Sequence, residues 1–281
     1  MADNANSFFA KPAVAIVTGA SKGIGRAIAI EFAKRFTEGL LLVLTGRSDK
    51  DLQETVSLIQ ADSSSPSKLT VRCVVGDLQN QSTIQKLFGN LFEDINPSKY
   101  DHAILINNAG STGDISKYVR NFGLNDLPEL QDFFFLNVNC PLLLVSKFLS
   151  VFSVQESASS EKRPSRLTIV QITSLAAVIP IKSWSIYCTG KASRDALHRI
   201  IAAEEPSARV LSYGPGPVMT DMLRHGRDFS GDPDTANNLS ELYKRAVQPQ
   251  KTASVLCNFL EEDKYESGAH VEFGDITGAP R

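Results

Sequence analysis

Short apolar runs alternate with helical stretches along this chain, which predicts an α/β fold: a single-domain, doubly wound Rossmann-type sheet, mainly parallel and flanked by helices. Three observations carry the prediction. Apolar runs begin near Ala13, Leu40, Leu69, Ala103, Leu167 and Arg209, and each leads into turn residues. The first run passes directly into a glycine-rich turn, Thr18-Gly19-Ala20-Ser21-Lys22-Gly23-Ile24-Gly25, that opens a helix. The 281 residues show no internal repeat and no shift of composition, which fits one large domain.

Taken in order, residues 13–18 form a buried parallel strand, because an apolar run without alternation needs cover on both faces. Residues 26–36 follow as a helix. A second strand spans 40–45, and a helix capped by Ser48 or Asp49 spans 49–61. The polar stretch 62–67 is a loop. A third strand, 69–75, ends at Gly76-Asp77-Leu78, a helix covers 82–94, and a fourth strand, 103–106, runs into Asn107-Asn108-Ala109-Gly110.

Residues 130–151 read as a helix apolar nearly all round; core packing accounts for part of that surface, and a subunit interface in a homodimer is expected for the rest. The polar stretch 153–166 is a surface excursion. Then come a strand at 167–172, a helix at 185–204, and a strand at 209–213 that enters Gly214-Pro215-Gly216-Pro217. A late helix (253–262) and a final strand (269–273) complete the domain. Residues 225–240, rich in Gly, Asp, Pro and Asn, read as a mobile substrate loop, and residues 1–11 as an N-terminal extension.

Composition narrows the function classes. The net charge is −2 with both signs mixed throughout, which argues against nucleic acid or an anionic membrane as partner. Hydrophobic residues make up 42% and the mean hydropathy is −0.09, as expected for a domain with a sizeable core. Cys73, Cys140, Cys188 and Cys257 are scattered, and His102, His198, His225 and His270 show no ligand spacing, so no metal site is expected. The thiols read as reduced. No signal peptide is visible at the N-terminus and no apolar run reads as reaching membrane-spanning length, so a cytoplasmic location is expected.

The glycine turn carries the first chemistry. Its spacing, G-x-x-x-G-x-G, lets backbone approach a pyrophosphate that rests on the N–H groups of the next helix. Three glycines in an ordinary turn would look the same, but the strand before and the helix after are the context such a site needs. Where NAD sites carry an acid at the end of the second strand, this chain reads Thr45-Gly46-Arg47-Ser48. Arg47 suits a 2′-phosphate, and Lys22 adds a second cation; both point to NADP(H) unless they are merely solvated surface cations. Asp77 and Leu78 are placed to meet an adenine edge, and Asn107, Asn108, Ala109 and Gly110 to line the ribose side.

The second chemistry centres on Ser174, Tyr187 and Lys191. The tyrosine and lysine stand one helical turn apart and share a face. A lysine ammonium there favours the phenolate and is expected to lower the phenol's pKa from about 10. Ser174 closes a strand, where its hydroxyl can hold a carbonyl oxygen within reach of the phenol, with Leu175 beside it. A tyrosine and lysine at this spacing also occur as plain surface pairs; the glycine turn is what gives this pair a hydride donor to work with.

With TGASKGIG, NNAG, Ser174 and Tyr187-x-x-x-Lys191 in this order, the chain resembles the short-chain dehydrogenase/reductase family over nearly its whole length. The resemblance implies that Tyr187 is the general acid, that Lys191 also holds the nicotinamide ribose, and that Asn137 helps relay protons. An amide bonded to nearby backbone is the plainer alternative for Asn137. Particular stretches (NNAGSTGDISK, SLAAVIPIKSWSIYCTGKASRD, EEPSARVLSYGPGPVMTDM and ESGAHVEF) are similar to members that reduce side-chain carbonyls of pterins with NADPH, at the end of tetrahydrobiopterin synthesis.

That similarity implies substrate contact at Gly216 and a segment closing over the cofactor at Val218, Met219, Thr220, Asp221, Met222 and Leu223. It also implies an acid that anchors the pterin's amino-pyrimidine end. Those members carry an aspartate there; this chain has Glu272, with Asp275 as a nearby alternative. A general NADPH-dependent carbonyl or diketone reductase is the rival within the class. A non-catalytic NADPH-sensing scaffold is the rival outside it.

Overall fold

In the computed structural model, described over residues 7–61, 68–153 and 162–280, seven parallel strands form one sheet. They are β1 (Ala13–Thr18), β2 (Leu40–Gly46), β3 (Leu69–Val75), β4 (His102–Asn107), β5 (Arg166–Ile172), β6 (Ala208–Gly214) and β7 (Ala269–Glu272), in the order β3-β2-β1-β4-β5-β6-β7. Direction along the sheet reverses between β1 and β4. At such a switch point the connections leave on opposite faces and open a crevice beyond the carboxyl ends of the strands. Strands β1 and β4 are buried at every position, which is why they read as unbroken apolar runs.

One face of the sheet is covered by α1 (Gly23–Arg35), α2 (Asp49–Gln60) and α9 (Pro249–Glu262), with Phe32, Leu52 and Leu256 in its core. The other is covered by α3 (Ile84–Phe92), α5 (Cys140–Phe152) and α6 (Ser185–Glu204), with Leu91, Phe148 and Ile201. Ser48 caps α2 as expected, its hydroxyl accepting from the Asp51 N–H at 3.2 Å. All four cysteines are free; Cys140 and Cys257 lie in the core and Cys73 and Cys188 are half-buried.

The structure departs from the sequence expectations in several places. The stretch 225–240 is two helices, α7 (Asp221–Phe229) and α8 (Pro233–Lys244), joined by a short turn. Its low apolar content hid them, although Asp232 followed by Pro233 is a helix start: the Asp232 carboxylate accepts from the Thr235 N–H at 2.9 Å. Within the N-terminal extension, Phe8 and Phe9 are buried against Phe36, so this stretch belongs to the core. The loop predicted at 62–67 and the middle of the 153–166 excursion lie outside the described residues.

The apolar helix of 130–151 is two helices, α4 (Leu127–Phe134) and α5, joined by one π turn at Phe135–Asn139. The helical stretch Leu124–Phe152 is long and apolar enough to cross a membrane by length and composition alone, contrary to expectation. Its apolar character has a local cause: Phe133, Leu144, Val145, Phe148 and Phe152 are buried in the domain. After α9 and β7, a short helix α10 (Phe273–Thr277) ends the described chain.

Candidate active site

The glycine turn sits at the carboxyl end of β1 and is held from below. The Asn108 side chain donates to the carbonyls of Thr18 (2.9 Å) and Gly19 (3.1 Å), while the Thr18 hydroxyl accepts from the N–H groups of Asn108 and Ala109, both at 3.0 Å. Gly19 has φ of 66°, and a Cβ there would stand 2.8 Å from the Asn108 amide. Both the conformation and the space demand glycine. Asn108, expected to line the ribose side, thus supports the loop.

Two buried polar atoms at this edge, Ser21 Oγ and Asn107 Nδ2, have no hydrogen-bond partner among the described residues. Buried polar groups are normally paired. Together with a turn whose backbone is bared by glycine at the start of α1, they fit a phosphate-bearing dinucleotide. Arg47 is exposed beyond β2 and pairs with no other described residue, as a group reading a 2′-phosphate should. Lys22 is different: its Nζ stands 2.5 Å from the Asp221 carboxylate, which also accepts from Arg224 at 2.9 Å. The expected second cation is therefore tied to the start of α7, inside the segment expected to cover the cofactor.

That segment is anchored. Val218 is buried and bridges Val247, and the Thr220 hydroxyl caps α7 by accepting from the Leu223 N–H at 3.2 Å. Met219 and Met222 remain exposed. Asp77 caps its own turn through the Gln79 N–H at 3.0 Å and lines a polar cleft with Asn80, Ser82 and Asp132. Leu78 is buried beside Asn107 and Ala109.

Strand β5 and helix α6 bring the second group together. Ser174 follows β5; its hydroxyl accepts from the Ala176 N–H at 3.2 Å and lies close enough to the Tyr187 phenol to favour its ionised form. Tyr187 and Lys191 are both buried on α6, with Lys191 Nζ 5.6 Å from the phenol ring centre and donating to the Ile172 carbonyl at 2.8 Å. Asn137 lies in the π turn, where it donates to the Phe133 carbonyl (2.9 Å) and accepts from the Ser111 N–H (3.2 Å). The π turn sets the Asn137 amide oxygen beside Gly110 and its Cβ beside Gly190. The plainer alternative for Asn137, backbone bonding, is met here by bonds that also place it beside the tyrosine–lysine helix.

The electrostatics correct one expectation. Burial pushes the Tyr187 phenol up to about 12, and the opposing influences are the Ser174 hydrogen bond and the Arg194 guanidinium. Lys191 does not lead in lowering it, because burial, and then Arg194, hold the lysine's own pKa well below the ordinary value. At neutral pH the phenol is a protonated donor next to a serine hydroxyl. An alkoxide is far more basic than this phenolate, so the transfer still runs downhill.

Arg194 is the residue the sequence reading missed. It is fully buried on α6, and it donates to the carbonyls of Asn107 (2.8 Å) and Ala109 (3.0 Å) and to Gln171 Oε1 (2.8 Å). Its position three residues after Lys191 put it on the catalytic face, but a lone arginine in a helix carries no signal without its distant carbonyls. Glu272, at the end of β7, is buried; its carboxylate lies over Gly214, where a Cβ would have to displace it. Its negative charge reaches Tyr187 and Lys191. Asp275 is exposed and caps α10 by accepting from the Glu272 N–H at 3.0 Å, so Glu272 is the buried acid of the two. Gly216, at φ of 70°, packs against Phe273 next to it.

Comparison with known proteins agrees with this arrangement. The family model described as short chain dehydrogenase matches residues 13–230. Sepiapterin reductases are similar: that of Rattus norvegicus is 39% identical over 266 residues, covering 94% of this chain and 97% of that protein. That of Meriones unguiculatus is 40% identical over 265 residues, with the same coverage of 94% and 97%. A benzil reductase of Bacillus subtilis is 34% identical over 211 residues, covering 74% of this chain and 75% of that protein.

Among solved structures, the KRED1-Pglu enzyme superposes with a TM-score of 0.72 at 23% identity, covering 92% of this chain and 99% of that one. A 3-oxoacyl-[acyl-carrier protein] reductase from Brucella melitensis, in complex with NAD, gives 0.70 at 20%, covering 95% and 97%. These two share the fold. The match to the family model runs from β1 to just past α7, and the chain belongs to the short-chain dehydrogenase/reductase family.

Proposed function

We propose that this chain is an NADPH-dependent reductase of pterin side-chain carbonyls, acting on sepiapterin or 6-pyruvoyl-tetrahydropterin in tetrahydrobiopterin synthesis. Its family makes it an oxidoreductase with a nicotinamide cofactor. The choice of NADPH rests on Arg47, exposed and uncommitted beyond β2 where an acid would suit NAD. The observation that carries the substrate reading is the buried Glu272 carboxylate at the end of β7, whose charge is felt at Tyr187 and which would complement a guanidine-like pyrimidine edge. Its similarity to sepiapterin reductases along nearly the whole chain supports that reading.

When bound, the cofactor supplies the hydride. The chain's residues do the rest. Ser174 Oγ holds the carbonyl oxygen, and the Tyr187 hydroxyl, near Ser174, gives its proton to that oxygen as negative charge develops. Lys191, anchored on the Ile172 carbonyl, binds the ribose and restores the phenol's proton through the Asn137 amide and water. Arg194 keeps the Asn107 and Ala109 carbonyls in place on the cofactor side. Glu272 decides which end of the pterin enters first.

The test is NADPH consumption with sepiapterin against a simple aromatic diketone, in the wild type and in Glu272→Ala. A pterin enzyme prefers sepiapterin and loses that preference with the carboxylate. Equal use of both substrates, unchanged in the variant, would assign a general carbonyl reductase, the activity named for the Bacillus relative. No NADPH consumption with either would leave a cofactor-binding scaffold.

A cytoplasmic homodimer is part of the same proposal. Leu142 and Leu143 on α5 and Ile200 on α6 are exposed apolar side chains on neighbouring elements of one sheet face, and a second copy would cover them. Light scattering of the purified chain reads the oligomeric state directly.

A further inference from the structure

Behind Glu272 lies a line of charged groups that the proposed mechanism does not use. His270 sits between two buried carboxylates: its Nδ1 is 2.5 Å from Asp195 Oδ2, and its Nε2 is 2.7 Å from Glu272 Oε1. Asp195 is held in turn by the Thr173 hydroxyl (2.7 Å) and the Gln171 amide (3.0 Å), both at the end of β5. The line therefore runs from the strand that carries Ser174, through the helix that carries Tyr187, to the tip of β7.

A neutral imidazole donates from one nitrogen and accepts at the other. Facing carboxylate oxygens on both sides, it would set a lone pair against a lone pair, so the geometry calls for a ring that donates twice. The pKa agrees: the hydrogen bonds and charges of Asp195 and Glu272 outweigh burial and raise His270 to about 9. The two acids lie on opposite sides of the ring, so the trio does not converge on one point as metal ligands do, and no metal-holding group is found among the described residues.

We propose that His270 is a positioning residue for substrate recognition: bridging Asp195 and Glu272, it fixes the Glu272 carboxylate against Gly214 in the orientation that receives the amino-pyrimidine edge. The inference rests on the reading of Glu272 as the pterin anchor. Glutamate has one more rotatable bond than aspartate, and a buried carboxylate that swings loses both its partner and its aim. A double charged hydrogen bond to a ring fixed by Asp195 removes that freedom before substrate arrives.

Four proteins test it: wild type, His270→Ala, Glu272→Ala and the double variant. Each is measured for KM and kcat with sepiapterin and with an aromatic diketone, and for sepiapterin affinity by fluorescence in the presence of NADP+. We expect His270→Ala to raise the sepiapterin KM and dissociation constant by about tenfold or more, with the loss in KM rather than kcat. The preference for sepiapterin over diketone falls by the same factor. In the Glu272→Ala background, removing His270 adds less than about twofold, since it acts through that carboxylate.

If Glu272→Ala weakens sepiapterin and His270→Ala does not, the positioning role fails and the anchor stands. If Glu272→Ala leaves sepiapterin affinity unchanged, the anchor fails and the role of His270 falls with it. Equal losses for both substrates, or a full additional loss in the double variant, would make His270 a structural residue only. Should His270→Ala not fold, His270→Gln, whose amide can still donate to Glu272, is measured in the same way; it should fall between wild type and Glu272→Ala, and a value equal to Glu272→Ala would overturn the proposal.

Discussion

At the β1–β4 switch point the chain presents the backbone of a glycine turn, in which Gly25 packs on the Gly19 carbonyl, with Ser21 Oγ and Asn107 Nδ2 buried and unpaired among the described residues. At the β5–β7 end it presents charged side chains that bind one another: Asp195 to His270, His270 to Glu272, Arg194 to Gln171. The first end recognises a ligand with main-chain N–H groups and a helix terminus, which read phosphate whatever hangs from it. On the proposed function the second recognises with carboxylate and phenol, whose aim depends on neighbours, and its polar groups are bonded to one another before any ligand arrives. A shared cofactor and a selective substrate call for these two constructions.

The largest expected effect falls on the side-chain end alone. Tyr187→Phe should lower kcat on the order of 10²–10⁴-fold, the usual worth of a positioned general acid, while NADPH affinity stays near the wild-type value. Normal kcat in that variant would remove the acid assignment. Arg194 joins the two ends, so Arg194→Ala should damage both: three acceptors, two of them in buried bonds, lose their donor. A buried acceptor left without its donor costs about 1–3 kcal/mol, readable as a shift in the urea midpoint. A loss below about 1 kcal/mol would show that the two ends stand independently.

A smaller change probes the backbone end. Arg47→Glu should weaken NADPH by about 1–3 kcal/mol while NADH affinity changes little, as expected when a charged hydrogen bond to a phosphate is lost. Equal losses for both cofactors would mean that Arg47 does not read the phosphate. The gentlest test uses pH. Burial lowers His102 to about 3 and His198 to about 4, from an ordinary 6.5.

Unfolded chains take up these protons first, so the stability from both rings is present above about 6.5 and is lost as pH falls toward 4. The slope is about 1.4 kcal/mol per pH unit for each ring. His270 has the opposite sign: its pKa is raised to about 9, so its contribution is full below about 6.5 and is lost as pH rises through 9. Urea midpoints across this range should peak near pH 6.5, and His270→Ala should flatten only the alkaline side.

The backbone end was the more legible in the sequence. A glycine turn acts through spacing, and G-x-x-x-G-x-G between a strand and a helix is visible as written. Ser174, Tyr187 and Lys191 were legible for the same reason, since one strand end and one helical turn fix them. The partner of Lys22 was not legible, because Asp221 is 199 residues away. The lysine's effect on the phenol was misjudged because burial acts on both groups, and burial is invisible along a chain. Phe8 and Phe9 looked like part of a tail until α1 and β4 were seen to receive them.

What the sequence determined by itself is periodic or local: strands buried on both faces, the nucleotide turn, the pairing of phenol and ammonium on one helix, and an acid near the C-terminus. Tertiary structure alone decided which charges meet. It tied Lys22 to α7, set Arg194 beneath the Asn107 carbonyl, and closed His270 between acids 75 residues before it and two residues after. The reason is range: hydrophobic periodicity is written into neighbouring residues, whereas a buried hydrogen bond exists only once folding has brought distant strands to a common edge.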